Sequence, residues 1–471
     1  MRVLGLDLGT SFIKGAVLDL DALAILHVER LPFPSPRRSG NPAFSEFDPN
    51  LIVATTRTLL ESLSDKASDA KCVVVCSQLH GLVLCDEKGR ALGNFINWQD
   101  ERTLLPIHPD GRTYFEEINA RLTPVERQSL GNEARPGMPL CFLFWLAHNK
   151  LLPGGHPIAA SLPNYVIANL CGGRPKSEIT HAYGHGAFDL ETDQWHSGVI
   201  QKLGLDIVDW PAIVPQGEIL GQSRIGSRNL AFFAPVGDYQ CAQAGTLLQE
   251  GELSINISTG SGVAMLGPRL EFGNFQTRPF FDERILRAVT HIPGGRALNA
   301  LIRLLGELAE AQGHELENPW DYILAAASRV KKTDLRVNPA FYFSAVGERG
   351  AITNVREQNL TVGDLFYATF TAMAENYSRC ALRVSPEAEW QRVVFSGGVA
   401  LKAELLRRLI CDRLGAAHRI VASEEDTMLG LLALALAFNE RAASVQKAMN
   451  FLRLNYQPTS QNVPVLQARS A

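Results

Sequence analysis

The sequence predicts an α/β protein built from two strand-rich units. Three observations carry that expectation. An apolar strand, a turn of glycine and hydroxyl residues and a returning apolar strand occur near the start, at Val3–Leu8, Gly9-Thr10-Ser11 and Ile13–Leu18. The same pattern recurs past the midpoint, at Leu253–Ile257, Ser258-Thr259-Gly260-Ser261-Gly262 and Val263–Leu266. Short, wholly apolar runs such as Cys72–Cys76 read as central parallel strands, and segments with apolar residues at helical spacing lie between the strands. Two such units facing each other are expected to flank a deep cleft where two substrates meet.

The elements follow in order. Ile25–Arg30 can add a third strand to the first hairpin. Pro49–Ser64 has helical spacing in Leu51, Ile52, Leu59, Leu60 and Leu63, with Asp48 placed to cap it. Leu82–Cys85 and Ala91–Ile96 are expected to form a second hairpin around Asp86-Glu87-Lys88-Gly89. Phe232, Phe233 and Ala234 form a strand leading to Gly237-Asp238, and Gln240–Leu248 reads as a helix. Further helices are expected at Arg296–Gln312, Val362–Ser378, Leu401–Leu414 and Asp426–Phe438, and strands at Val393–Phe395 and Ile420-Val421. The chain past Leu454 reads as irregular. A length of 471 residues exceeds one core, and the expected division is 1–230, 231–440 and an extension, 441–471.

Composition excludes several classes. Net charge is −4, from 45 basic and 49 acidic residues, so no basic excess points to nucleic acid or an anionic membrane. No apolar run approaches the ~20 residues of a membrane span. The 8 cysteines lie scattered in apolar segments without a CxxC pair, as in a reduced, cytoplasmic protein. Neither GxGxxG nor GxxxxGK[ST] occurs, which disfavours a dinucleotide oxidoreductase and a P-loop enzyme.

Chemistry concentrates at strand ends. Asp238 sits where a strand hands over to a helix. The helix terminus is expected to keep its carboxylate ionised, either as an ordinary N-cap or as an acceptor of a hydroxyl proton. In the first turn Gly9 lets backbone approach a phosphate, Thr10 and Ser11 add hydroxyl donors, Lys14 adds positive charge, and Asp7 can hold Mg²⁺ through water. Ser258, Thr259, Gly260 and Ser261 repeat the donors without the charge. Ser396-Gly397-Gly398 puts glycines where a strand meets a helix, where a flat adenine could lie or where the two elements simply pack closely. Gln78, His80, Trp98, Asp100 and Arg102 bring an amide, an imidazole, an acid, a base and an indole to strand ends, a set that suits a polyol.

Asp7-x-Gly9-Thr10-Ser11, Ser77-Gln78-x-His80-Gly81, Trp98-x-Asp100-x-Arg102, Gly237-Asp238, Ser258-Thr259-Gly260-Ser261 and Ser396-Gly397-Gly398 occur in this order. Together they resemble the FGGY carbohydrate kinases of the actin, sugar kinase and heat-shock chaperone ATPase superfamily, over about residues 1–440. The resemblance implies two ribonuclease H-like, actin-like ATPase domains around a nucleotide and sugar cleft, and transfer of phosphate from ATP, with Mg²⁺, to a sugar hydroxyl. It implies Asp238 as catalytic base and, with Asp7, as metal-facing. The sugar region would be Gln78, Leu79, His80, Trp98, Asp100, Arg102, Asp238, Tyr239 and Gln240. Gly9, Thr10, Ser11, Lys14 and Ser258–Ser261 would meet phosphate, and Gly295, Asn299, Gly397, Gly398 and Lys402 the adenosine. Asn97-Trp98-Gln99-Asp100, Gly237-Asp238-x-Gln240-Cys241, Arg278-Pro279-Phe280-Phe281 and Gly347-Glu348-Arg349 are similar to the branch acting on the seven-carbon ketose sedoheptulose. Ribulose and xylulose kinases share the general plan. Two departures are visible: Ser-Thr-Gly-Ser replaces the Gly-Thr-Ser of many relatives, and Lys402 stands where relatives often carry Asn. The expected assembly is a monomer or homodimer. The rival from another class is an actin-like or chaperone ATPase without a sugar substrate.

Overall fold

The computed structural model describes residues 1–423 and 425–457. The chain forms two compact units. The first comprises Met1–Leu247, Arg278–Ile285 and the chain from Glu425 onward, and the second comprises Leu248–Thr277 and Leu286–Glu424. The break therefore falls after Leu247, not after residue 230. The strand, the turn and the Asp238 helix all belong to the first unit. The expected extension contributes a helix, Val445–Asn455, to the first unit, so the chain stays regular just past Leu454. Residues 458–471 lie outside the described residues.

The first unit is organised on one sheet, whose strand order is Ile219–Ile225, Arg228–Phe233, Cys72–Ser77, Arg2–Leu8, Phe12–Asp19, Ala24–Pro32. The first three strands of the chain form an antiparallel meander. Arg2–Leu8 and Arg228–Phe233 both run parallel to Cys72–Ser77, which is buried along its whole length. This is the central parallel strand expected from its unbroken apolar run. The helix Pro49–Lys66 has Ile52, Leu59, Leu60 and Leu63 in the same core as Leu4, Leu6, Val73 and Val75. Asp48 caps it through Asn50 N–H at 2.9 Å. The second expected hairpin is largely replaced. Val83–Cys85 pairs with Ile158–Ala160 and Phe95–Ile96 with Glu46–Phe47, leaving isolated bridges between Leu82 and Ile96 and between Cys85 and Ala91.

The second unit repeats the plan. Glu252–Ile257 pairs antiparallel with Ser261–Gly267 and parallel with Arg392–Ser396, which in turn pairs parallel with Ala417–Ile420. The hairpin-then-parallel-neighbour arrangement matches Arg2–Leu8, Phe12–Asp19 and Cys72–Ser77. Its core gathers Ile255, Ile257, Val263, Val393 and Phe395 with Phe366, Phe370 and Tyr377 of the long helix Val362–Val384. The helix expected at Leu401–Leu414 breaks at Ala403 into Gly398–Lys402 and Glu404–Leu414.

Candidate active site

In the first unit, Cys72–Ser77 is flanked by two parallel partners whose ends line up. Cys76 pairs with Asp7 on one side and Val236 on the other, and Ser77 pairs with Leu8 and Gly237. Asp7 and Asp238 therefore emerge at the same edge, on either side of one strand. Gly237 is the N-cap and Asp238 the first helical residue of Asp238–Gly245. The cap expectation is thus corrected: the Asp238 carboxylate accepts its neighbour Tyr239 N–H at 2.6 Å instead of reaching into the helix. The expectation that the helix terminus keeps this carboxylate ionised is also corrected. Burial, then the charge of Asp7, pushes Asp238 up to about 7, against the opposing pull of Tyr239 N–H and Arg278. Burial likewise pushes Asp7 up to about 6, opposed first by Lys14. Desolvation outweighs the helix terminus here because the ionised form loses its water.

The predicted sugar-facing residues separate into two groups. Trp98 Nε1 donates to Thr10 Oγ1 at 2.9 Å, and Thr10 donates to Gln78 Oε1 at 2.9 Å. His80 sits at φ 71° with Nδ1 2.8 Å from the carbonyl of Gly184. A carbonyl can only accept, so Nδ1 carries the hydrogen and Nε2 is left as an acceptor. Burial pushes the His80 imidazole down to about 4, so it is neutral at ordinary pH. Leu79 is buried between these two residues.

Asp100 and Arg102 depart from expectation. Arg102 binds both Asp100 oxygens, at 2.7 and 2.8 Å, reaches Glu46 at 2.5 Å, and lies over the rings of Phe44 and Trp145. Asp100 also accepts Ser45 N–H at 2.7 Å. Both residues are buried in a closed ion pair that fastens the loop at Phe44–Glu46 to the chain after Trp98. Gln240 is buried too, donating to the Pro279 carbonyl at 3.2 Å. Lys14 is held by Glu425 at 2.6 Å.

Sequence reasoning missed a buried network beside Asp238. Arg278 lies 4.4 Å over the Tyr239 ring and binds Glu133 at 2.7 Å. Glu133 also takes Arg135 at 3.0 Å and the Tyr183 hydroxyl at 2.6 Å. The two guanidinium groups hold the Glu133 carboxyl well below its usual range despite burial. A buried Glu followed at distance by an Arg has no sequence signature, although Arg278 was visible in Arg278-Pro279-Phe280-Phe281.

In the second unit a cavity of about 280 Å³ is lined by Ser258, Thr259, Gly295, Asn299, Trp320, Gly398, Val399 and Lys402. Six predicted nucleotide residues thus share one pocket. Trp320 and Val399 were not foreseen. Gly260, Ser261 and Gly397 lie outside its lining. Gly397 serves the packing of the turn instead, since at φ +88° a Cβ would stand 2.5 Å from Ser258 Oγ and 2.6 Å from the Ile257 carbonyl. The helix Gly295–Ala311 docks on the hairpin turn through Gly295 N–H to Ser258 O at 2.8 Å and Arg296 N–H to Thr259 O at 3.2 Å. Ser258, Asn256 and Ser396 form a hydrogen-bonded row across adjacent strands. Among the described residues no group of three or more His, Cys, Asp or Glu is arranged to hold a metal, and no helix is long and apolar enough to cross a membrane.

Residues 2–235 match the FGGY family of carbohydrate kinases, N-terminal domain. The chain is similar to the sedoheptulokinase of Mus musculus, 24% identical over 455 residues that cover 86% of this chain and 91% of that one. Its fold resembles the ligand-bound xylulose kinase of Lactobacillus acidophilus, with TM-score 0.80, 17% identity and coverage of 96% and 92%. It also resembles the glycerol kinase of Plasmodium falciparum with ADP, with TM-score 0.80, 17% identity and coverage of 98% and 93%. These neighbours give it the two-domain actin-like ATPase fold. The chain belongs to the FGGY family of carbohydrate kinases and is a phosphotransferase with an alcohol group as acceptor.

Proposed function

We propose that the protein transfers the γ-phosphate of ATP to a terminal primary hydroxyl of a ketose, sedoheptulose giving sedoheptulose 7-phosphate, in the cytoplasm. The observation that carries the reaction is Asp238, a carboxyl at the end of Val236–Gly237 with acidity near neutral. A general base works best when its pKa lies near the working pH. Asp238 orients the hydroxyl and takes its proton as the oxygen attacks phosphorus in line, positioning and charge neutralisation doing most of the work. Trp98, Gln78 and His80 offer the ketose an aromatic face, an amide and an imidazole acceptor. The adenosine end belongs in the cavity between Gly295, Asn299, Trp320 and Lys402.

Mg²⁺ accompanies ATP in this reading. Asp7 and Asp238 fit it, since burial raises the cost of ionising both and the charge of Asp7 adds to that of Asp238, which a divalent cation would relieve. Bound there, Mg²⁺ supplies neutralisation of phosphate charge. The seven-carbon choice rests on the sedoheptulokinase likeness, which runs over nearly the whole of both chains.

The test is an ADP-release assay across five-, six- and seven-carbon ketoses. Highest kcat/KM on sedoheptulose is expected. Highest kcat/KM on ribulose or xylulose moves the substrate to five carbons. ATP hydrolysis indifferent to every sugar overturns the kinase reading in favour of an actin-like or chaperone ATPase.

A further inference from the structure

The turn Gly9-Thr10-Ser11 carries two hydroxyls in different situations. Thr10 Oγ1 lies 2.9 Å from both Trp98 Nε1 and Gln78 Oε1. An indole N–H can only donate, and a threonine hydroxyl has a single hydrogen, so that hydrogen is committed to Gln78. Gln78 is 3% exposed. With its oxygen fixed by Thr10, its amide nitrogen faces away from the turn, and this buried Nε2 has no partner among the described residues. Buried amide donors are rarely left unmade, so this one is aimed at something the protein does not supply. Ser11 is exposed, and its hydroxyl makes no hydrogen bond with the described residues.

The sheet register says where Gln78 is aimed. Ser77 lies between Leu8 and Gly237 on adjacent parallel strands. Gln78 is the residue after Ser77, and Asp238 the residue after Gly237. Parallel neighbours are about 4.8 Å apart, so Gln78 leaves the sheet beside the proposed base. Thr10 stands on the other side, two residues past Leu8.

We propose that Thr10 is a positioning residue for the sugar, acting through Gln78 and Trp98, and that Ser11 is the hydroxyl of this turn that meets phosphate. The proposal rests on the kinase reading above and reassigns one residue of it. Thr10 fixes which end of the Gln78 amide faces the substrate and sets the tilt of the Trp98 indole. Without the hydroxyl, the amide is free to turn and present oxygen where a donor is needed.

The experiment compares Thr10→Val, Thr10→Ser and Ser11→Ala in steady state with ketose and ATP varied separately. Thr10→Val is expected to raise the ketose KM about tenfold, the loss of one oriented hydrogen bond, with the ATP KM within about twofold. Thr10→Ser is expected to restore the wild-type value. Ser11→Ala is expected to do the opposite, raising the ATP KM alone. On a Gln78→Leu background, Thr10→Val should add nothing. The second readout needs no substrate. The Trp98 indole N–H resonance, assigned with Trp98→Phe, should move in Thr10→Val and stay in Ser11→Ala. Thr10→Val raising the ATP KM while sparing the ketose KM overturns the proposal, as does an indole resonance that ignores Thr10→Val. Failure of the kinase reading looks different, appearing as wild-type enzyme with no ketose-dependent turnover.

Discussion

Asp238→Asn should stabilise the protein while abolishing its turnover, and the gain should depend on pH. The Asp238 carboxyl moves from 3.8 in an exposed chain to about 7 in the fold. At about 1.4 kcal/mol per pKa unit, ionised Asp238 costs the folded state on the order of 4 kcal/mol. The sign follows from which state binds the proton. Below about pH 4 both states are protonated and the cost is absent. As pH rises, the unfolded chain releases its proton first, so stability falls until the folded carboxyl also ionises near 7. Asn is neutral throughout. Urea melts of wild type and Asp238→Asn should therefore have nearly coincident midpoints at about pH 4 and midpoints separated by up to ~4 kcal/mol of unfolding free energy at about pH 8. In the ADP-release assay, wild-type kcat/KM should fall about tenfold for each pH unit below 7 as the base protonates. ADP binding to the variant should be nearly unchanged. Equal midpoint differences at both pH values, or a wild-type rate flat from about pH 8 to about pH 5.5, would refute the assignment of a desolvated base.

Asp100→Ala leaves Arg102 buried without its bidentate partner, which should cost about 3–5 kcal/mol in a urea melt. The ketose KM of the folded fraction should stay within about twofold, and a higher KM at unchanged stability would return Asp100 to the substrate site. Trp320→Ala removes an aromatic wall of the second-unit cavity. It should weaken ADP about tenfold by calorimetry, toward the low end of aromatic–base stacking, with the ketose KM unaffected.

Much of the architecture was legible because it depends on local pattern. The apolar run Cys72–Ser77, the two hairpins and the helix Asp426–Phe438 are each announced by period or by unbroken hydrophobicity. The hairpin expected between Leu82 and Ile96 was not, since its strands find partners at Glu46–Phe47 and Ile158–Ala160, distant in sequence. At the candidate site, the second-unit pocket gathers predicted residues because glycines and small hydroxyls mark its turns. The fates of Asp100, Arg102 and Lys14 were hidden because a charge shows in sequence and its partner does not. Asp238 was legible as a position but not as an acid, since its acidity is set by desolvation and by Asp7. Glu133 and Trp320 carried no motif at all.

The helix that bears Asp238 touches the helix Asp426–Phe438 backbone to backbone. A Cβ on Gly245 would fall 1.7 Å from the Asp426 carbonyl, and one on Gly430 would fall 1.9 Å from that of Cys241. Met428 to Leu436 are buried throughout. On the ribosome, Asp238 therefore emerges long before the helix its own helix rests on, with nearly all of the second unit made in between. That face of the first unit has no cover until Asp426–Phe438 has been made. A fragment ending at Leu247 would expose that apolar face and aggregate, whereas residues 425–457 supplied as a separate peptide would close it.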